Sequence, residues 1–169
     1  MPGISNNQLR GVQSLYNVLE IMKNELLSNP FCNNVTIGEL TEIDLAKMTI
    51  FPLSHITIQS VTHNINSLTF ELNLYNLDIV NISKDLPESI TQPTGTYGND
   101  NLIYILTNQL YVVNRLISKL RQTNILSSNT EYELDNTPQS QVINKELENM
   151  LAGYQTTINI TLPNDIDKC

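Results

Sequence analysis

Two histidines, two cysteines and a scatter of carboxylates are the side chains here best suited to build a reactive centre. His55 and His63 stand eight residues apart, and Glu71 or Asp78 on a following strand would be the carboxylates to complete a metal set with them. Zinc sites draw on clustered Cys and His at tight spacing, and this spacing is loose. The simpler reading makes His55 a hydrogen-bonded structural histidine beside a proline bend and His63 a solvated turn residue. Cys32 and His55 have the chemistry of a nucleophile and its base, but nothing in the sequence positions one on the other. A lone cysteine after a helix end is usually packing. The thiol of Cys169 has a terminal carboxylate beside it, which raises its pKa and dulls it. Glu39, Glu42 and Asp44, with Asp165 and Asp167, have the ligand type for a hard cation but not the spacing of a calcium loop. They read instead as solvated or interfacial charges. Glycine-rich phosphate loops and the GxSxG and HExxH motifs are missing from the sequence. No enzyme, cofactor or resident metal is therefore expected.

The stretch "ELTEIDLAKMTIFPLSHI", residues 39–56, has a different character. Glu42, Asp44 and Lys47 are interleaved with Ile43, Leu45, Met48 and Phe51. Charges set so closely among large apolar groups suit a contact surface whose ion pairs fix register more than strength. The alternative is an ordinary loop folded over the edge of a core. On the contact reading, Glu42, Asp44, Lys47, Phe51, Pro52 and His55 lie at a subunit interface. Tyr75 and Asn76 join them on a separate ground, since the strand that holds them is long enough to extend past its own sheet and pair with another subunit.

These residues need elements to hold them. Leu9, Val12, Leu15, Tyr16, Leu19, Met22 and Leu26 recur at helical steps, so a first amphipathic helix is expected, capped by Ser5 or Asn6 and stopped by "SNP" at 28–30. "NNVTIG" predicts a short strand ending at Gly38, and "ELTEIDLAKM" reads as a loop or a short helix, with the loop favoured by its surroundings. Pro52 marks a strand entrance or bend. A long hairpin follows. Its first strand sets Ile56 and Ile58, with Ser60 continuing the series, on one face and Thr57, Gln59 and Val61 on the other. Its return strand sets Leu68, Phe70, Leu72 and Leu74 on one face. The apolar parity then switches to Leu77 and Ile79, and one extra residue near Tyr75–Asn76 would repair it, so a β-bulge is expected there.

Residues 81–98 have no period and read as a long loop that orders on a neighbour or stays disordered. Asn99 or Asp100 caps a second helix whose seam is Ile103, Leu106, Leu110, Val113, Ile117 and Leu120, widened by Leu102, Val112 and Leu116, with Lys119 and Arg121 in its last turn. "TEYELD" is a short strand, and "NTPQSQVINKELENMLAG" reads as irregular with one helical turn. A closing strand runs from Tyr154 to Pro163, and residues 163–169 form an extension.

At 169 residues the chain suits a single domain. The order of elements indicates an α+β fold: one mixed, mostly antiparallel sheet with a long β-hairpin, and two amphipathic helices on one face. The uncovered face and the sheet margins then have to be managed, and a ring of copies does so by pairing edge against neighbour. Charged residues make up only 15% of the chain, and Asn, Ser, Thr and Gln supply the polarity. Neutral amides cost less to desolvate than charges, which suits packing against neighbours. An AT-rich coding bias would yield the same composition, and the two explanations stand side by side. A net charge of −8 without a basic cluster argues against gripping nucleic acid, though not against a surface that DNA slides past. No apolar run approaches the ~18 residues of a membrane span, and "MPGISNNQLRG" lacks a signal pattern.

"IGELTEIDLAKMTIFPLSHI", the hairpin, "GNDNLIYILTNQLYVVNRLISKL" and the ending "LAGYQTTINITLPNDIDKC" resemble small tail proteins of tailed bacteriophages, including crAss-like phages. The likeness spans most of the chain and is weakest in the first helix and the 81–98 loop. The element order also resembles the tail-terminator and head–tail joining fold. This resemblance implies a virion structural protein, assembled in the host cytoplasm as a ring of about six or twelve copies at the neck or tail. Its partners would be copies of itself and adjoining neck, tail or portal-side rings, with DNA passing through and no membrane. "PNDIDKC", at 163–169, would lie against the ring neighbour or the next layer, which puts Asp165 and Ile166 at a subunit interface. A rival expectation is a soluble binding or assembly factor absent from the particle. A metal-dependent enzyme built on His55, His63 and Asp78 is the third.

Overall fold

A computed structural model describes residues 10–39, 50–80, 101–126, 132–135, 137–146 and 150–164. The elements run α1 (Arg10–Leu27), β1 (Asn34–Ile37), β2 (Leu53–His63), β3 (Ser67–Ile79), α2 (Leu102–Leu126), β4 (Glu133–Leu134), β5 (Gln139–Glu146) and β6 (Leu151–Pro163). The fold is α+β, with one six-stranded mixed sheet and two helices.

The sheet order is β1-β2-β3-β6-β4, and β5 also pairs with β6. Among the described residues only β1 and β2 run parallel; every other pair is antiparallel. β2 and β3 are joined through Asn64–Asn66, with Asn64 N–H donating to the Ser67 carbonyl. β3 and β6 pair without interruption from Ser67↔Pro163 to Ile79↔Leu151. β6 is thus flanked on its full length by β3, and on its other side by β5 and then β4.

Period-two alternation puts Ile56, Phe70, Leu72, Leu74, Ile158, Ile160 and Leu162 on one face. They form a single buried cluster with Val18, Met22 and Leu26 of α1 and Val112, Leu116 and Leu120 of α2. Each such side chain contributes about 1.5–3 kcal/mol when fully buried, so this cluster holds the helices to the sheet. α1 ends at Leu27, and Ser28 and Asn29 close it with backbone bonds to Asn24 and Leu26.

The buried stripes differ from the expected ones. Tyr16 is exposed, and Val18 takes the place expected for it on the buried face of α1. On α2 the inward positions are Ile105, Gln109, Val112, Val113, Leu116 and Leu120, whereas Ile103 and Leu110 face outward. The helix is apolar on more than one side, so sequence periodicity left its rotation underdetermined. α2 also continues to Leu126, so Lys119 and Arg121 are not in its last turn. The caps expected at Ser5, Asn6, Asn99 and Asp100 lie outside the described residues.

The bulge falls elsewhere too. β3 carries no irregularity at Tyr75–Asn76; the register shifts on β2, between Ile58 and Ser60. The change of apolar parity has another cause. Asn76 keeps the helix-side position and is fully buried. Leu77 and Ile79 point to the opposite face, where they join Phe51, Leu53, Tyr75, Ile143 and Leu151 in a second cluster. The bulge on β2 reverses the expected faces of Ser60 and Val61: Val61 returns to the face of Ile58 and Ser60 turns to the other, because Val61 pairs with Phe70, Ser60 with Glu71 and Ile58 with Leu72. Two further boundaries move. "QSQVINKE" is the strand β5 and has no helical turn within it, and the last strand begins at Leu151. The 81–98 and "ELTEIDLAKM" expectations lie largely outside the described residues.

Candidate assembly surface

The sheet separates the residues from which a reactive centre was considered. His55 points to the face opposite the helices, with its Nδ1 2.8 Å from Thr36 Oγ1 and its ring 6.3 Å from that of Tyr75. It is buried, as a structural histidine should be. His63, the last residue of β2, pairs with Leu68 and so shares the helix side; it is exposed. Glu71 faces with Ser60, and Asp78 with Ala152. His55 and Asp78 therefore occupy opposite faces. Burial raises the pKa of Asp78, and a hydrogen bond from the Ile79 N–H partly offsets this. Among the described residues no group of three or more His, Cys, Asp or Glu is placed to hold a metal.

Cys32 is buried on the helix side and donates to Ser54 Oγ at 3.2 Å and to the Asn34 carbonyl at 3.4 Å. Burial pushes its thiol pKa up. Ser54 Oγ in turn donates to Asn76 Oδ1 at 2.6 Å. This is a buried polar relay through the β1–β2–β3 end of the sheet, and His55 is on the other side of it. Sequence reasoning missed Ser54 as its centre; the signal available was a serine and an asparagine at apolar-parity positions of two paired strands.

Of the expected interface residues, Glu42, Asp44, Lys47, Asp165 and Ile166 lie outside the described residues. Phe51, His55 and Asn76 are buried within the chain itself, where their side chains pack and bond internally. Pro52 and Tyr75 are half-buried. The Phe51–Pro52 peptide is cis, and the Pro52 carbonyl accepts from the N–H groups of Asn33 and Asn34. The apolar "FPL" segment thus anchors the β1–β2 end of the sheet, which is why it mixes large side chains with a fixed backbone.

The exposed features lie elsewhere. β1 covers β2 only from Leu53 to Ile56, with Gly38 N–H donating to the Ile56 carbonyl at its end. From Thr57 to His63, β2 has a strand partner on one side only among the described residues. At the far margin β5 pairs with β6 and, among the described residues, with nothing beyond it. Ile58, Val61 and Ile65 of the hairpin are exposed, and so is Val142 of β5 at 55%. "IQSVTH" at 58–63 and "QSQVIN" at 139–144 contain no Asp, Glu, Lys, Arg or Pro. Sheet proteins normally blunt open edges with such residues; here β2 has a bulge after Ile58, and β5 has its register shift and its charged residues only past this stretch, between Ile143 and Glu146. α2 adds Ile103, Tyr104, Leu110 and Tyr111 to the exposed surface, within an uncharged run from Asn101 to Asn114. Aromatic enrichment and charge depletion are the composition of interface centres.

No family model and no curated protein matches this sequence. Among the described residues no helix is long and apolar enough to cross a membrane.

Proposed function

We propose that this protein is a structural subunit that assembles with copies of itself into a ring at the neck or tail of a tailed bacteriophage, as a tail terminator or head–tail connector through which DNA passes. One observation carries the reading: among the described residues the sheet is open at both margins, and the open stretches 58–63 and 139–144 are uncharged and expose valine or isoleucine. An open edge at each end of one sheet makes a head-to-tail contact, and such contacts close into rings when the rotation between copies closes. The motif likeness supplies the setting, and the net charge of −8 suits a channel that repels phosphate instead of trapping it.

Native mass spectrometry across a range of protein concentrations, with negative-stain imaging, tests the reading. The expected result is a closed oligomer of one size, whose channel is net negative when imaged at side-chain resolution. A monomer at every concentration, or a protein missing from purified particles, overturns it; the latter result points to an assembly factor.

A further inference from the structure

We propose that β5 of one copy pairs antiparallel with β2 of the next, in the register that sets Val142 opposite Val61, so that the sheet continues from subunit to subunit. The inference rests on the ring reading and specifies its contact.

Strand direction comes first. β3 runs against β2, β6 against β3, and β5 against β6, so β5 runs opposite to β2. Copies related by rotation about an axis along the strands keep their directions. The β5 of one and the β2 of the next then meet antiparallel, which is the more stable pairing.

The faces also agree. Val142 pairs with Tyr154 and Val61 with Phe70, and both partners occupy helix-side positions of their strands. A rotation keeps every helix layer on the same side of the ring wall, so residues opposite one another in the new ladder must share a face. Val142 opposite Val61 meets that requirement, with Ser140 opposite His63, Gln141 opposite Thr62 and Ile143 opposite Ser60. Without the bulge after Ile58, Val61 would point to the other face and the valines could not meet.

The backbone groups agree as well. Gly38 N–H donates to Ile56, so Ile56 turns its N–H and C=O outward from β3. Alternation, resumed after the bulge, turns Val61 and His63 outward in the same way. On the far side Asp135 N–H donates to the Asn159 carbonyl, so the odd positions of β6 face β4 and β5. Gln139, Gln141 and Ile143 pair with those positions and point inward, leaving Ser140 and Val142 outward. The outward residues of both edges thus fall opposite each other, as hydrogen-bonded pairs. Neither segment places a charge or a proline in the seam.

Hydrogen-bonded antiparallel pairs hold Cα atoms about 5.5 Å apart, within disulfide reach. Val61→Cys and Val142→Cys, each in a Cys169→Ser background, are prepared singly, mixed under mild oxidation and run on non-reducing gels. The expected product is a dimer formed only in the mixture, and a ladder of multiples when both substitutions are in one chain. Homodimers of either single variant, or no cross-link, overturn the pairing. Native mass spectrometry of the same samples before oxidation separates the two levels. A closed oligomer without the cross-link ends this register and leaves the ring; a monomer ends both. Val142→Lys, at an exposed position, provides the second test: dissociation of the oligomer with unchanged circular dichroism is expected, and an intact oligomer overturns the proposal.

Discussion

The carbonyl oxygen of Asn76 lies 1.8 Å from where a Cβ on Gly153 would stand. Gly153 sits within β6 at φ 154°, paired with Leu77, so the close approach of the two central strands depends on the missing side chain. Gly153→Ala should force β3 and β6 apart locally and destabilise the protein by about 1–3 kcal/mol or more, measured by urea unfolding. A variant as stable as the parent would mean that the strands are not so close.

Ser54 is the middle of the relay from Cys32 Sγ to Asn76 Oδ1. Ser54→Ala removes the donor to a buried amide and the acceptor for a buried thiol. The expected loss is about 1–3 kcal/mol, the cost of leaving such groups unsatisfied. Thermal melts of the variant against the parent check it.

Asp78 gives a pH dependence with a definite sign. Its folded pKa is raised, chiefly by burial. The folded protein therefore holds the proton more readily than the unfolded chain, and this residue's contribution to stability falls as pH rises through the folded pKa. Asp78→Asn should raise the melting temperature at neutral pH and have little effect below the carboxylate range. Equal effects at both pH values would show that the carboxyl does not titrate differently on folding.

Cys32 combines burial with a raised thiol pKa. In a Cys169→Ser background a thiol reagent should label the native protein slowly and the urea-unfolded protein at once, since the thiolate is the nucleophile. Rapid native labelling would place Cys32 at the surface.

The layers should be held by the core and not by charge. Arg115 Nε meets Glu25 Oε1 at 2.7 Å between α2 and α1, yet 38% of the arginine side chain stays exposed, and pairs screened by water in this way add little. Leu116→Ala should cost about 2–5 kcal/mol. Glu25→Gln should cost far less, and its effect should shrink with added salt. Comparable losses would reverse the ranking.

The α+β class and the long strands β3 and β6 were legible because alternation at Leu68–Leu74 and Thr156–Leu162 has a single period-two solution. β1 was legible from "NNVTIG", which ends where Gly38 ends it. The rotation of α2 was not, since Ile103 and Leu110 are as apolar as Ile105 and Val112. The bulge was misplaced because a parity switch has two causes, an inserted residue or a second cluster on the far face, and sequence alone does not choose between them. β5 was missed because "QSQVIN" lies on an exposed margin, where the amphipathic contrast that betrays a strand is weak. The candidate surface was hidden for the same reason: uncharged polar edges look like loops until their pairing is seen.

The position of β6 has a consequence for how the molecule comes together. Its Thr157 bonds to Asn73, 84 residues earlier in the chain. The hairpin must therefore wait, with one strand unpaired, while the intervening α2, β4 and β5 are made. Distant pairings of this kind slow folding and prolong the exposure of sticky strands. Expressed in quantity, the chain should benefit from low temperature or chaperones, because its nascent hairpin has, for a time, the same appetite for a stranger's strand as for its own.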